Sequence, residues 1–117
     1  MTHPALRLDD TVHQRVRLGI LAVLSEVRRA DFGFLRDALE LTDGNLSRHI
    51  AVLEEAGLVK VEKGFAGKRP RTWVQATRHG REALDAEMNA LRELIARVRN
   101  VAEGESEERA SRLAGET

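Results

Sequence analysis

The stretch from Thr42 to Gly57 constrains the fold more than any other part of the chain. Leu46, Ile50 and Leu53 recur at i, i+4 and i+7, which places them on one face of a helix. His49 sits at the edge of that face. Asn45, Ser47, Arg48 and Ala51, all small or hydrogen-bonding, take the other. Thr42 suits the N-cap, because its hydroxyl can accept from the free N–H groups of the first turn. Gly57 suits the C-terminal stop, because glycine enters the left-handed conformation at little cost. The outcome is a helix of about four turns with one face to bury and one face able to read a partner.

The residues C-terminal to this helix narrow the choice. Leu58–Lys63 and Thr72–Ala76 alternate apolar and polar residues, as half-buried strands do. Between them lies a loop with Gly64, Gly67, Pro70 and the cations Lys68, Arg69 and Arg71. A helix leading into a hairpin with a basic tip is the layout of a winged helix. Its helix can enter a major groove while the tip reaches the flanking backbone or minor groove.

The chain of 117 residues supports one domain with a tail. No apolar run has the length of a membrane span, and the N-terminus lacks the basic-then-apolar pattern of a signal peptide, so a cytoplasmic protein with no membrane partner is expected. Without cysteine there is no disulfide, thiolate metal site or cysteine nucleophile. Formal net charge is zero, which alone argues against a nucleic-acid partner. Yet Thr42–Arg81 carries eight cations against four anions, and from Glu103 onward five glutamates face two arginines. Local charge, not the sum, governs phosphate binding.

Taken in order, residues 1–8 show no period and are expected to be flexible. Asp9, Asp10 and Thr11 offer a helix start, and Val12, Val16, Ile20, Leu21, Val23, Leu24 and Val27 give an amphipathic first helix to about Arg28. Gly19 inside it costs roughly 1 kcal/mol relative to alanine, which a close helix–helix contact would explain. Ala30–Phe32 fits a short strand that pairs with the hairpin. Phe34–Leu41 fits a second helix with Gly33 as N-cap. The short Thr42–Asp43 turn then forces a steep crossing, as in a helix-turn-helix.

Thr77 caps the last helix, and Gly80 in its first turn is tolerated. Leu84, Met88, Leu91, Ile95, Val98 and Ala102 recur at alternating spacings of four and three, an a/d seam widened by Leu94 and Val101. So small a domain has little room to bury that seam, so Leu84, Met88, Leu91, Ile95 and Val98 are assigned to a homodimer interface; packing back on the first helix of the same chain is the alternative. Residues 103–117, rich in Glu, Ser and Gly, read as a disordered acidic tail. The expected class is α+β and mostly helical: a winged helix-turn-helix over residues 9–102, with a long C-terminal dimerisation helix over residues 77–102.

Three segments carry a family resemblance: Val16–Leu21; Leu41–Ile50 with Leu53–Val59; and Lys63–Phe65 with Gly67–Trp73. Together they resemble compact bacterial winged-helix transcriptional regulators related to the MarR and ArsR families, over roughly Leu8 to Val101. The resemblance implies a homodimer that binds operator DNA. The chain departs from metal-sensing ArsR relatives: it has no Cys, and His3, His13, His49 and His79 form no i, i+3 or i+4 pair. It is also shorter than MarR-type proteins, which carry extra helices around a ligand pocket. No metal and no cofactor are expected, and a small-molecule effector is possible but not indicated.

Expected DNA-binding residues are Asp43, Gly44, Asn45, Ser47, Arg48 and His49 in a recognition helix over 43–56, with Lys68, Arg69 and Arg71 in a wing over 63–72. Asparagine can pair bidentately with adenine, and arginine with guanine. Ser47 can equally hold a phosphate. Gly44 and Ala51 allow close approach by being small. Asp43 would repel phosphate and either caps the helix or accepts from a cytosine amino group. His49 either reaches a phosphate or is a satisfied, partly buried histidine. His13 and His79 read as structural. Arg17 is expected to bond a carbonyl or carboxylate, and Trp73 to pack against the recognition helix. Three Phe and no Tyr offer no stacking surface for single strands. No Ser/His/acid set, glycine-rich phosphate loop or HExxH occurs, so no enzymatic activity is expected. The preferred function is a dimeric, sequence-specific regulator that binds double-stranded DNA and represses. The alternative is a winged-helix protein-interaction module that does not bind DNA.

Overall fold

The computed structural model describes residues 2–115; Met1, Glu116 and Thr117 lie outside the described residues. Four helices surround a three-stranded antiparallel sheet of order β1-β3-β2. The helices are α1 (Arg15–Glu26), α2 (Phe32–Ala38), α3 (Asp43–Glu55) and α4 (Arg78–Gly115). The strands are β1 (Ala30–Asp31), β2 (Val59–Ala66) and β3 (Arg69–Ala76). This is the winged helix architecture with a long C-terminal helix.

The helix starts differ from the sequence expectations for local reasons. The Asp9 side chain accepts from Thr11 N–H at 2.8 Å, so it closes a turn instead of opening α1. Val12 drops from that turn into the core, fully buried. Gln14 then caps α1, its side chain accepting from Arg17 N–H at 2.9 Å. In α2, Asp31 and not Gly33 occupies the N-cap position, because β1 runs directly into the helix. Glu40, at φ 52°, ends it in the left-handed conformation. The short strand pairs as expected, Ala30 opposite Val74 and Asp31 opposite Trp73.

Helix α3 obeys its signals closely. Thr42 Oγ1 accepts from Asn45 N–H at 3.1 Å. At the other end Gly57 takes φ +75°, Gly57 N–H donates to Glu54 O and Leu58 N–H to Leu53 O, each at 2.9 Å. This is the double bond pattern of a Schellman stop, with Leu53 and Leu58 in hydrophobic contact positions. Leu46, Ile50 and Leu53 are buried with Ile20, Leu21, Leu35 and Val74 in one core. Gly19 does mark a close contact: a Cβ there would lie 3.0 Å from Leu39 Cδ2.

Two expectations about chain ends are revised. Residues 4–7 form a 3₁₀ turn with Pro4 buried, and Arg7 pairs with Glu93 on α4, so this segment is held and not frayed. Residues 103–115, expected to be disordered, continue α4 as an exposed helix. Extending an existing helix carries no nucleation cost, and Glu108 and Arg112 form an i, i+4 ion pair along it. Gly80 is required and not merely tolerated, since a Cβ would sit 1.9 Å from Leu58 O.

Candidate nucleic-acid interface

The face of α3 opposite its buried stripe carries Gly44, Arg48, Ala51 and Glu55 at i, i+4, i+7 and i+11, all exposed. Arg48 projects between two small residues, so a rigid surface such as a groove wall can approach the helix there. Asn45 flanks it, and its Oδ1 accepts from Arg48 Nη2 at 3.2 Å. The two side chains expected to read bases are thus brought together over the first half of the helix. Asp43 neither caps α3 nor stands free. Thr42 is the cap, and the Asp43 carboxylate accepts from Arg36 Nη1 at 2.8 Å. Arg36 is held firmly charged by its bond to Asp37 first and to Asp43 second. That pairing neutralises an anion at the N-terminus of the helix.

Ser47 lies on the flank toward the hairpin. With Ile50, Ala51, Glu54, Val61, Lys63, Thr72 and Val74 it lines a shallow open cleft between α3 and the sheet. Lys63 also lines this cleft, although it is not among the expected contacts. Its signal is the alternation of β2, which puts Val59, Val61 and Lys63 on the sheet face toward α3.

His49 does not reach the surface. It is buried at 9% exposure, with Nδ1 3.2 Å from Arg17 Nη1. Arginine only donates, so Nδ1 must accept and the ring is neutral with its proton on Nε2. Burial first, then the charges of Arg17 and Arg48, hold its pKa below the ordinary 6.5. Arg17 also donates to Thr11 O at 2.6 Å, so it does bond a carbonyl.

The wing is longer and tighter than the loop expected from sequence. Strands β2 and β3 pair through Ala66 opposite Arg69, leaving Gly67 and Lys68 as a two-residue turn. Gly67 at φ +64° is the one position of the turn with positive φ, which suits a type II′ hairpin. Pro70 lies inside β3 opposite Phe65. Lys68 stands at the tip, and Arg69 begins the returning strand. Arg71 is set back opposite Gly64 and pairs with Asp31 at 3.3 Å, so it is committed to the sheet. Glu62 is paired with Lys60, whose hydrogen bond and charge lower its pKa. Trp73 occupies the sheet face away from α3, opposite Glu62, with the Arg29 guanidinium stacked 4.1 Å from its ring centroid. The expectation that it packs on the recognition helix is therefore corrected. Strand parity decides the matter: Val74 takes the inward position.

The expected dimer seam divides along α4. Leu84 is 8% exposed and belongs to the domain's own core, and Met88 packs against that core. Leu91 is half-buried. Ile95, Val98 and Val101 are exposed at 55%, 63% and 62%. The alternative of packing within the chain thus holds for the first end of the seam. Among the described residues, no helix is long and apolar enough to cross a membrane.

Comparison with known proteins agrees with the fold. The sequence matches the family described as winged helix DNA-binding domain over residues 16–95. An uncharacterized protein of Methanocaldococcus jannaschii, MJ0432, is 36% identical over 86 residues, covering 74% of this chain and 90% of that protein. The structure of a transcriptional regulator homologue from Pyrococcus horikoshii is similar with a TM-score of 0.72 and 41% identity, over 75% of this chain and 87% of that one. A MarR-family regulator structure from Enterococcus faecalis has a TM-score of 0.64 at 24% identity, over 87% of each chain, and supports the fold alone. The two relatives of higher identity are archaeal, whereas the sequence resemblance suggested bacterial regulators.

Proposed function

Because this chain belongs to the winged helix DNA-binding domain family, we propose that it is a dimeric, sequence-specific regulator of transcription that binds duplex DNA. The observation that carries this reading is the exposed Gly44–Arg48–Ala51 stripe on a helix whose other face is locked in the core. Arg48 and Asn45 are placed to contact base edges in the major groove, with Ser47 and Lys63 on the flank toward the wing. Lys68 and Arg69 at the hairpin tip contact phosphates or the minor groove. Arg71 contributes less, being paired with Asp31. Asp43, paired with Arg36, takes a supporting role at the helix start. Repression by occluding a promoter is the simplest consequence.

The uncovered stripe of Ile95, Val98 and Val101 supports pairing of two α4 helices. A two-fold dimer presents two recognition helices to successive major grooves of a palindromic site. Charge along α4 favours an antiparallel pair: from 92 to 99 three arginines outnumber Glu93, and from 103 to 112 four glutamates outnumber Arg109 and Arg112, so opposite ends attract when the helices run in opposite directions. Sedimentation of Val98→Glu checks this. The variant should run as a monomer at concentrations where the parent is a dimer, and an unchanged size would mean that α4 does not form the interface.

The DNA reading is tested by Arg48→Ala combined with Lys68→Ala, both exposed and outside the core. Binding to an operator duplex should be lost by about a hundredfold or more, since a base contact and a phosphate contact disappear together. Survival of binding at parental strength would point to a protein-interaction module instead.

A further inference from the structure

A continuous line of polar contacts runs from the recognition helix to α4 without passing through the hydrophobic core. His49 on α3 accepts from Arg17 Nη1 at 3.2 Å. Arg17 Nε donates to Thr11 O at 2.6 Å, and Nη2 to Asp10 O at 3.3 Å. In the same turn, Asp9 N–H donates to Glu87 Oε2 on α4 at 3.0 Å. His13 Nδ1 lies 3.0 Å from Glu87 Oε1. Glu87 is 1% exposed, and among the described residues its Oε1 makes no hydrogen bond, with the His13 ring beside it.

The far end of α3 is attached to α4 differently. Thr77 Oγ1 donates to Gly57 O at 2.6 Å and accepts from Gly80 N–H at 3.0 Å, while Thr77 N–H donates to Leu58 O at 3.0 Å. With Gly80 against Leu58 O, this end is a fixed backbone pivot. The angle of α3 about that pivot is then set by what holds its middle: Leu46 and Ile50 in the core, and the Arg17–His49 bond at the edge of that face.

We propose that Arg17 is a positioning residue: through His49, the Asp9–His13 turn and Glu87, it sets the angle of the recognition helix relative to α4, so that a change along α4 alters DNA discrimination. This rests on the DNA-binding reading above. None of the groups in the line faces the exposed stripe, so their effect is on orientation and not on direct contact. A hydrogen-bonded line on its own shows adjacency; coupling is shown when changes at its two ends fail to act independently.

The test uses the full chain and two fluorescent duplexes, the DNA flanking its own gene and a scrambled control. His49→Leu removes the acceptor at the α3 end, and Glu87→Met removes both acceptors at the α4 end. Each should weaken binding to the specific duplex by roughly three- to thirtyfold and leave the scrambled duplex unchanged. The double variant should lose markedly less than the product of the two. His49→Asn, whose Oδ1 can replace Nδ1 as acceptor, should restore most of the loss. Losses that multiply to within about twofold, or that fall equally on both duplexes, overturn the proposal. If the parent binds neither duplex, the DNA reading has failed, and the relay is judged separately by amide NMR. Glu87→Met should then still shift the resonances of Arg48, His49 and Ile50. Shifts that stop at Val12 overturn it, as they also would where His49→Leu does not fold.

Discussion

The two ends of the recognition helix are held by different means. At its C-terminus the chain is riveted by main-chain atoms: Gly57 in the left-handed conformation, Leu58 O accepting from Thr77 N–H, and Gly80 packed against that same carbonyl. At its N-terminus and middle it is held by side chains: Leu46 and Ile50 in the core, the Thr42 hydroxyl, the Arg36–Asp43 ion pair and the Arg17–His49 bond. Backbone contacts have no rotamers and few substitutes, so that end is rigid and intolerant. Side-chain contacts can be tuned or broken singly. Asn45 and Arg48, proposed to contact base edges, lie over the tunable half. The helix thus combines a fixed origin with an adjustable aim.

The largest effect should come from attacking the fixed end. Gly80→Ala places a methyl group where Leu58 O already stands, and overpacking of this kind costs about 3 kcal/mol. Thermal unfolding should show a fall of many degrees; a melting point near the parent's would mean that the two segments separate easily and that no pivot exists. The adjustable end should give less. Thr42→Ala removes the cap bond to Asn45 N–H, a loss of about 1 kcal/mol, and amide exchange should quicken in the first turn of α3 while its last turn stays protected. Equal acceleration at both ends would erase the distinction between them.

The mildest perturbation is a proton. His49 has its pKa lowered below 6.5 by burial, with Arg17 and Arg48 adding to it. The unfolded chain therefore takes up the proton more readily than the folded one. The contribution of neutral His49 to stability is fully present above about pH 6.5 and is lost as pH falls through the folded value. Melting points of the parent and of His49→Asn should converge or cross on acidification from pH 7 to pH 5. Parallel curves would show that His49 does not titrate against Arg17.

Much of this arrangement is legible in the sequence because it depends on local rules. Thr42 and Gly57 announce the ends of α3, the leucine spacing announces its buried face, and strand alternation announces the wing. The illegible part depends on partners distant in sequence. Gly80 looks like an ordinary helical glycine until Leu58 is brought against it. Helical phase puts His49 at the buried side and Arg48 in solvent, but the partner that makes His49 a satisfied buried histidine, Arg17, lies 32 residues away. The size of Trp73 suggests core against α3, whereas the pairing of β3 gives the inward position to Val74. The α4 seam reads as one stripe in sequence. The domain covers its first end, Leu84, and leaves Ile95 and Val98 open. Residues 103–115 lack apolar content for a core, but composition does not register that a helix already under way extends at no nucleation cost.

The exposed stripe of α3 and the hairpin tip are together proposed to bind duplex DNA. A salt series of fluorescence anisotropy, using the duplex flanking its own gene beside a scrambled duplex, tests this most directly. Binding should be tighter to the native duplex, with affinity falling steeply as salt rises because phosphate contacts release counterions. Failure to bind either duplex at low salt would contradict the claim, and would turn the same surface toward a protein partner.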